Sequence, residues 1–77
     1  WDRKTLPHHK IYTMTETKVY KLHDSIHVEA FTTSLGIEGI KHNVFEYEEY
    51  TAIEVTGTPL EIIRASTIYQ QAIAFKL

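Results

Sequence analysis

Thr51-Ala52-Ile53-Glu54-Val55-Thr56-Gly57-Thr58-Pro59-Leu60-Glu61, running on through Ile62 to Leu77, is the stretch on which the fold turns. Its first six residues alternate and are rich in β-branched side chains, which suits a half-buried strand. Gly57 ends that strand. Thr58 is placed to accept a backbone N–H as N-cap, Pro59 has no N–H to leave unpaired at the first helical position, and Glu61 can reach back to the cap. Counted around a helix from Leu60, the residues Ile62, Ala65, Ile68, Tyr69, Ala72, Ile73 and Phe75 share one broad face. Arg64, Ser66, Thr67, Gln70 and Gln71 fall on the other. The rest of the chain then has to supply a sheet for this helix to cover.

Working back from Thr51, His42 to Tyr47 reads as a strand with Phe45 and Tyr47 on one face. A loop at Glu48-Glu49-Tyr50 carries them onto the face of Thr51, Ile53 and Val55, and an uninterrupted strand meets the same parity. Thr33 to Lys41 reads as a loop with an apolar tip, because Gly36 and Gly39 argue against a stable helix. Ile26-His27-Val28-Glu29-Ala30-Phe31-Thr32 alternates as a strand does. A three-residue loop at His23-Asp24-Ser25 sets Leu22 opposite Ile26 and Tyr20 opposite Val28, with Lys21 and His27 toward solvent. On this reading Val19, His27, Glu29 and Phe31 lie on the second face of the sheet. Ile11 to Met14 and Lys18 to Leu22 supply one long strand or two short ones. Residues 1–9, with Pro7, read as an extended arm ahead of a single small domain over 10–77. The expected fold is α+β: an antiparallel sheet of four to five strands packed against one C-terminal helix.

Composition narrows what such a domain does. Seventy-seven residues without a cysteine exclude disulfides and thiolate metal sites, so oligomerisation is the expected staple for a small core. No apolar run approaches the roughly 18 residues of a membrane span, so no membrane partner is expected and cytoplasm is the default location. The net charge of −2 hides an asymmetry. Arg3, Lys4, Lys10, Lys18 and Lys21 oppose three acidic residues in the first part of the chain, and seven glutamates dominate the remainder.

Chemistry-bearing motifs are sparse. His23 and His27 have an i,i+4 spacing, but beside a hairpin loop their rings need not converge, and no third ligand has a fixed spacing to them. The sequence lacks a nucleophile elbow, and Leu35-Gly36-Ile37-Glu38-Gly39 lacks the Lys-Ser/Thr of a phosphate loop. No cofactor or metal is expected. Glu46, Glu48 and Glu49 read as a solvated edge. Aromatics at Tyr12, Tyr20, Phe31, Phe45 and Tyr47 could stack bases, yet the strands carry more acid than base. Two stretches look like interaction surface: Leu35, Ile37 and Ile40 in the apolar loop, and the apolar end Ala72 to Leu77. The strip Phe45 to Tyr50, with Tyr47, Glu48, Glu49 and Tyr50, adds a surface suited to mimic nucleic acid or dock on a basic protein. The expectation is a small non-enzymatic module that binds another protein and self-associates. A nucleic-acid-binding sheet is the alternative, and a small oligomeric enzyme with an interface site comes third.

Overall fold

Both elements read from Thr51 onward form, and a reciprocal cap fastens their junction. The computed structural model describes residues 14–74 as β1 (Glu16–Leu22), α1 (Ser25–Glu38), β2 (Lys41–Glu46), β3 (Thr51–Gly57) and α2 (Pro59–Ile73). The arm at 1–9 and the strand expected at Ile11–Thr13 lie outside these residues. The class is α+β. Among the described residues the sheet has three strands in the order β1-β3-β2, all antiparallel neighbours, where four to five were expected, and there are two helices where one was expected. Because β1 and β2 both run against β3, they are parallel to each other with β3 between them. The chain is thus a split β-α-β unit whose gap is filled through the β2–β3 hairpin.

At the β3–α2 junction, Thr58 Oγ1 accepts from the Glu61 N–H at 3.2 Å, and Glu61 Oε1 accepts from the Thr58 N–H at 2.9 Å. Gly57 makes that reciprocal cap possible. A Cβ there would stand 2.6 Å from Glu61 Oε1, so the bare backbone leaves room for the carboxylate to swing back. Ala65, Ile68 and Ala72 are buried beneath α2, with Ile62 and Tyr69 packed beside them. Ile73, expected on that face, is exposed at the helix end, and Phe75 lies outside the described residues.

The stretch expected to be a strand (Ile26–Thr32) and a loop (Thr33–Lys41) is α1 with its C-cap. Ile26, Val28 and Ala30 alternate as a strand does, but Val28, Phe31 and Leu35 keep the i, i+3, i+7 spacing of one helix face. Phe31 and Leu35, four apart, are fully buried; Val28 and Ala30 pack against the core. Gly36 sits inside the helix. Gly39 ends it in the left-handed region at φ 73°. The Gly39 N–H donates to the Gly36 carbonyl at 3.1 Å and the Ile40 N–H to the Leu35 carbonyl at 2.9 Å. Those two bonds, with Leu35 and Ile40 both buried, make a Schellman motif and its apolar clasp. The expected hairpin at His23–Ser25 is therefore a strand-to-helix connection, and Leu22 lies opposite Thr51. His27 and Glu29 ride on α1, and of the four residues assigned to the second sheet face only Val19 belongs there.

Register fixes the faces. Tyr20 pairs with Ile53, Val44 with Ile53 from the other side, and His42 with Val55. Tyr20, Leu22, Ile53 and Val55 point to the helices and build the core with Phe31, Leu35, Ile40, Ala65, Ile68 and Ala72. Tyr20 lies at 5.0 Å from Phe31 and 4.6 Å from Tyr69 between ring centroids. The hairpin pairs Glu46 with Thr51, so four residues intervene and parity reverses. Phe45 is opposite Ala52, on the face away from Ile53 and Val55, contrary to the expected placement.

Candidate interaction surface

That reversal creates the surface of interest. The sheet face away from the helices carries Thr17, Val19 and Lys21 on β1, Ala52, Glu54 and Thr56 on β3, and Lys41, Asn43 and Phe45 on β2, as the registers require. One end of this face is polar and self-satisfied. Thr17 Oγ1 meets Thr56 Oγ1 at 3.2 Å, and Asn43 Nδ2 donates to Glu54 Oε1 at 3.3 Å.

The other end is aromatic. Continuing the hairpin register beyond Glu46 and Thr51 brings Tyr47 beside Tyr50. The Tyr47 N–H donates to the Tyr50 carbonyl at 2.9 Å and the ring centroids are 5.1 Å apart. Lys21 Nζ lies 5.1 Å from the Tyr50 ring centroid, close enough for a cation–π contact. His23 Nδ1 is 3.2 Å from the Glu49 carbonyl oxygen, and its ring meets Tyr50 edge-on. The hairpin tip is thus fastened to the end of β1 through Lys21 and His23. Large apolar side chains nevertheless remain in water: Phe45 is 45% and Tyr47 57% exposed at this end, and Val19, level with Glu54 at the middle of the face, is 52% exposed.

The loop and strip residues expected to meet a partner divide into three groups. Tyr47, Glu48, Glu49 and Tyr50 are brought together at the tip. Leu35 and Ile40 are core, because the segment that reads as an exposed loop is a helix end whose clasp needs them. Ile37 is 80% exposed, at the C-terminal end of α1. It lies near the start of β2 while the tip lies beyond its end, about 20 Å away at a strand rise of ~3.4 Å per residue. They do not form one patch. Sequence reasoning turned Lys21 toward solvent, as the register has it, but missed Phe45 and Tyr47 as members of the open face. The signal was the even loop length between Glu46 and Thr51.

Other candidate chemistry is dispersed. His42 Nδ1 lies 2.9 Å from the Ile40 carbonyl, and His27 Nδ1 3.5 Å from Asp24 Oδ2. Among the described residues no group of three potential ligands converges. A groove of about 480 Å³ between the helices is lined, among the described residues, by Ile26, Glu29, Ala30 and Ser34 of α1 and Ile68 and Ala72 of α2, mostly apolar side chains. Among the described residues no helix is long and apolar enough to cross a membrane. No protein-family model, curated protein or solved structure matches this chain.

Proposed function

We propose that this chain is a non-enzymatic interaction module that binds another protein through the aromatic end of its open sheet face. The observation that carries the reading is the exposure of Val19, Phe45 and Tyr47 on one side of the sheet, beside a fastened hairpin. Aromatic side chains held by the backbone lose little entropy on binding and bring large contact area, which is why such residues anchor interfaces. Glu48 and Glu49 at the tip bias the partner toward a basic rim.

A photo-reactive residue at Phe45, with another at Gln70 on the exposed side of α2 as control, tests this in native extract with and without nuclease. The expected result is one stoichiometric protein cross-linked from position 45 only, nuclease-resistant, and lost when Tyr47 and Tyr50 become serine. Equal labelling from both positions would sink the reading. A nucleic-acid interface is the second reading, favoured by Lys21 over Tyr50 and by Lys41 on the same face as Phe45. It predicts cross-links that vanish with nuclease and retention on a polyanion that weakens steeply with salt.

A further inference from the structure

The two sheet edges are not equivalent. On β1 the large residues Tyr20 and Leu22 are buried, Lys18 Nζ lies 5.2 Å from the Tyr20 ring centroid, and Lys21 caps Tyr50. Anchored lysines along an edge are a recognised block to strand addition. β2 is different. None of its six residues is buried, and an apolar side chain is exposed on each face, Val44 at 43% on the helix side and Phe45 on the open side, whereas β1 exposes Val19 on the open face alone. Among the described residues the helices stop short of covering it and no strand pairs with its outer edge, which is a template for another strand.

We propose that this edge pairs with β2 of a second copy, joining two sheets into one of six strands with all four helices on the same side. A two-fold axis perpendicular to the sheet requires antiparallel pairing in which opposed residues share a face. Centred on Val44, that pairing sets Val44 against Val44 of the second copy, on the helix side. On the same side His42 faces Glu46 of the second copy, and Glu46 faces its His42. On the open side Asn43 faces Phe45, and Lys41 faces Tyr47. An opposite-charge pair, an apolar pair and a cation–aromatic pair therefore repeat about the axis, with no like charges opposed. His42 is already oriented for this role: Nδ1 donates to the Ile40 carbonyl, which leaves Nε2 for a carboxylate when the ring is protonated. Centring on Phe45 instead would place Val44 against Glu46, which wastes both. The dimer also doubles the open face, setting two aromatic ends on one surface.

The chain has no cysteine, so a single introduced thiol reports only contacts between copies. Opposed Cβ atoms in an antiparallel pair stand about 4.5–5.5 Å apart, near the reach of a disulfide. Val44→Cys is expected to trap a covalent dimer under mild oxidant, and Val19→Cys, at the middle of β1, is not. By sedimentation, His42→Glu is expected to weaken association about tenfold, because symmetry makes two like-charge pairs. The H42E/E46H double variant restores it. A monomer at all concentrations, trapping at Val19→Cys instead, or a double variant as weak as H42E would each overturn the proposal. Phe45 itself faces Asn43 of the second copy, so a cross-link from position 45 to this same chain reports the dimer and one to a different protein reports the partner, and the two readings fail separately.

Discussion

The two helices lie on the same side of the same sheet, yet they are held in opposite ways. α2 carries its own instructions: a reciprocal cap, proline in its first turn, Glu61 near the positive end of its dipole, and one apolar side. α1 has no side-chain bond at its N-cap Asp24 and no acidic residue in its first turn. Its exposed Ile37 and its partly buried Ile26 leave it without a clean polar side. It is fixed by what it buries, Phe31 and Leu35, and by the motif that ends it. A helix whose stability is tertiary is hard to see locally, because packing overrides propensity without leaving a periodic trace.

The largest expected effect tests that dependence. Phe31 is fully buried and meets both Tyr20 and Tyr69 edge-on, at 5.0 and 5.6 Å between ring centroids. Phe31→Ala is expected to cost about 3–5 kcal/mol in denaturant unfolding. Hydrogen exchange should show the α1 amides losing protection before those of α2. Equal loss in both helices would mean that α1 does not depend on tertiary packing more than α2 does.

The caps give the next contrast, because each helix is closed firmly at the opposite end. Gly39→Ala places a side chain at φ 73° and is expected to cost about 1–2 kcal/mol. Thr58→Ala removes half of the reciprocal cap and is expected to cost about 1 kcal/mol. Thermal melts of the two variants check the order, and a Thr58→Ala loss larger than that of Gly39→Ala would reverse it.

The same asymmetry explains which parts of the fold are legible in the sequence. β3, its break at Gly57, the cap and the buried stripe of α2 each have a local signature in consecutive residues. α1 has two competing ones. Ile26, Val28 and Ala30 keep a strand's period while Val28, Phe31 and Leu35 keep a helix's, and the two glycines read as turns although Gly39 with apolar Leu35 and Ile40 around it is the signature of a Schellman ending. The open face is lost through a single residue of loop length. Three loop residues between Tyr47 and Thr51, in place of the four between Glu46 and Thr51, turn Phe45 and Tyr47 toward the core. Tyr47, Glu48, Glu49 and Tyr50 remain visible as a surface because they are consecutive. Lys21 and His23, which fasten that surface, come from the far end of β1 and are joined to it only by folding.

The smallest expected effect concerns the ion pair between the helices. Arg64 Nη2 of α2 donates to Glu38 Oε2 of α1 at 2.7 Å, with both side chains substantially exposed. The hydrogen bond from Arg64, aided by its charge, outweighs partial desolvation and holds the Glu38 carboxyl below its ordinary range. Its folded form thus binds a proton less readily than the unfolded chain. The stabilisation is present above the ordinary carboxylate range and is lost as pH falls through the lowered value. Comparing melting temperatures of the wild type and Glu38→Gln across pH reads this directly. The gap should be small and flat near neutrality, close on acidification, and shrink with added salt, since exposed pairs are screened. A gap that persisted in acid would assign the effect to the packing of the side chain at the end of α1. Then the helix held by its burial would be tied to the helix held by its cap without any help from charge.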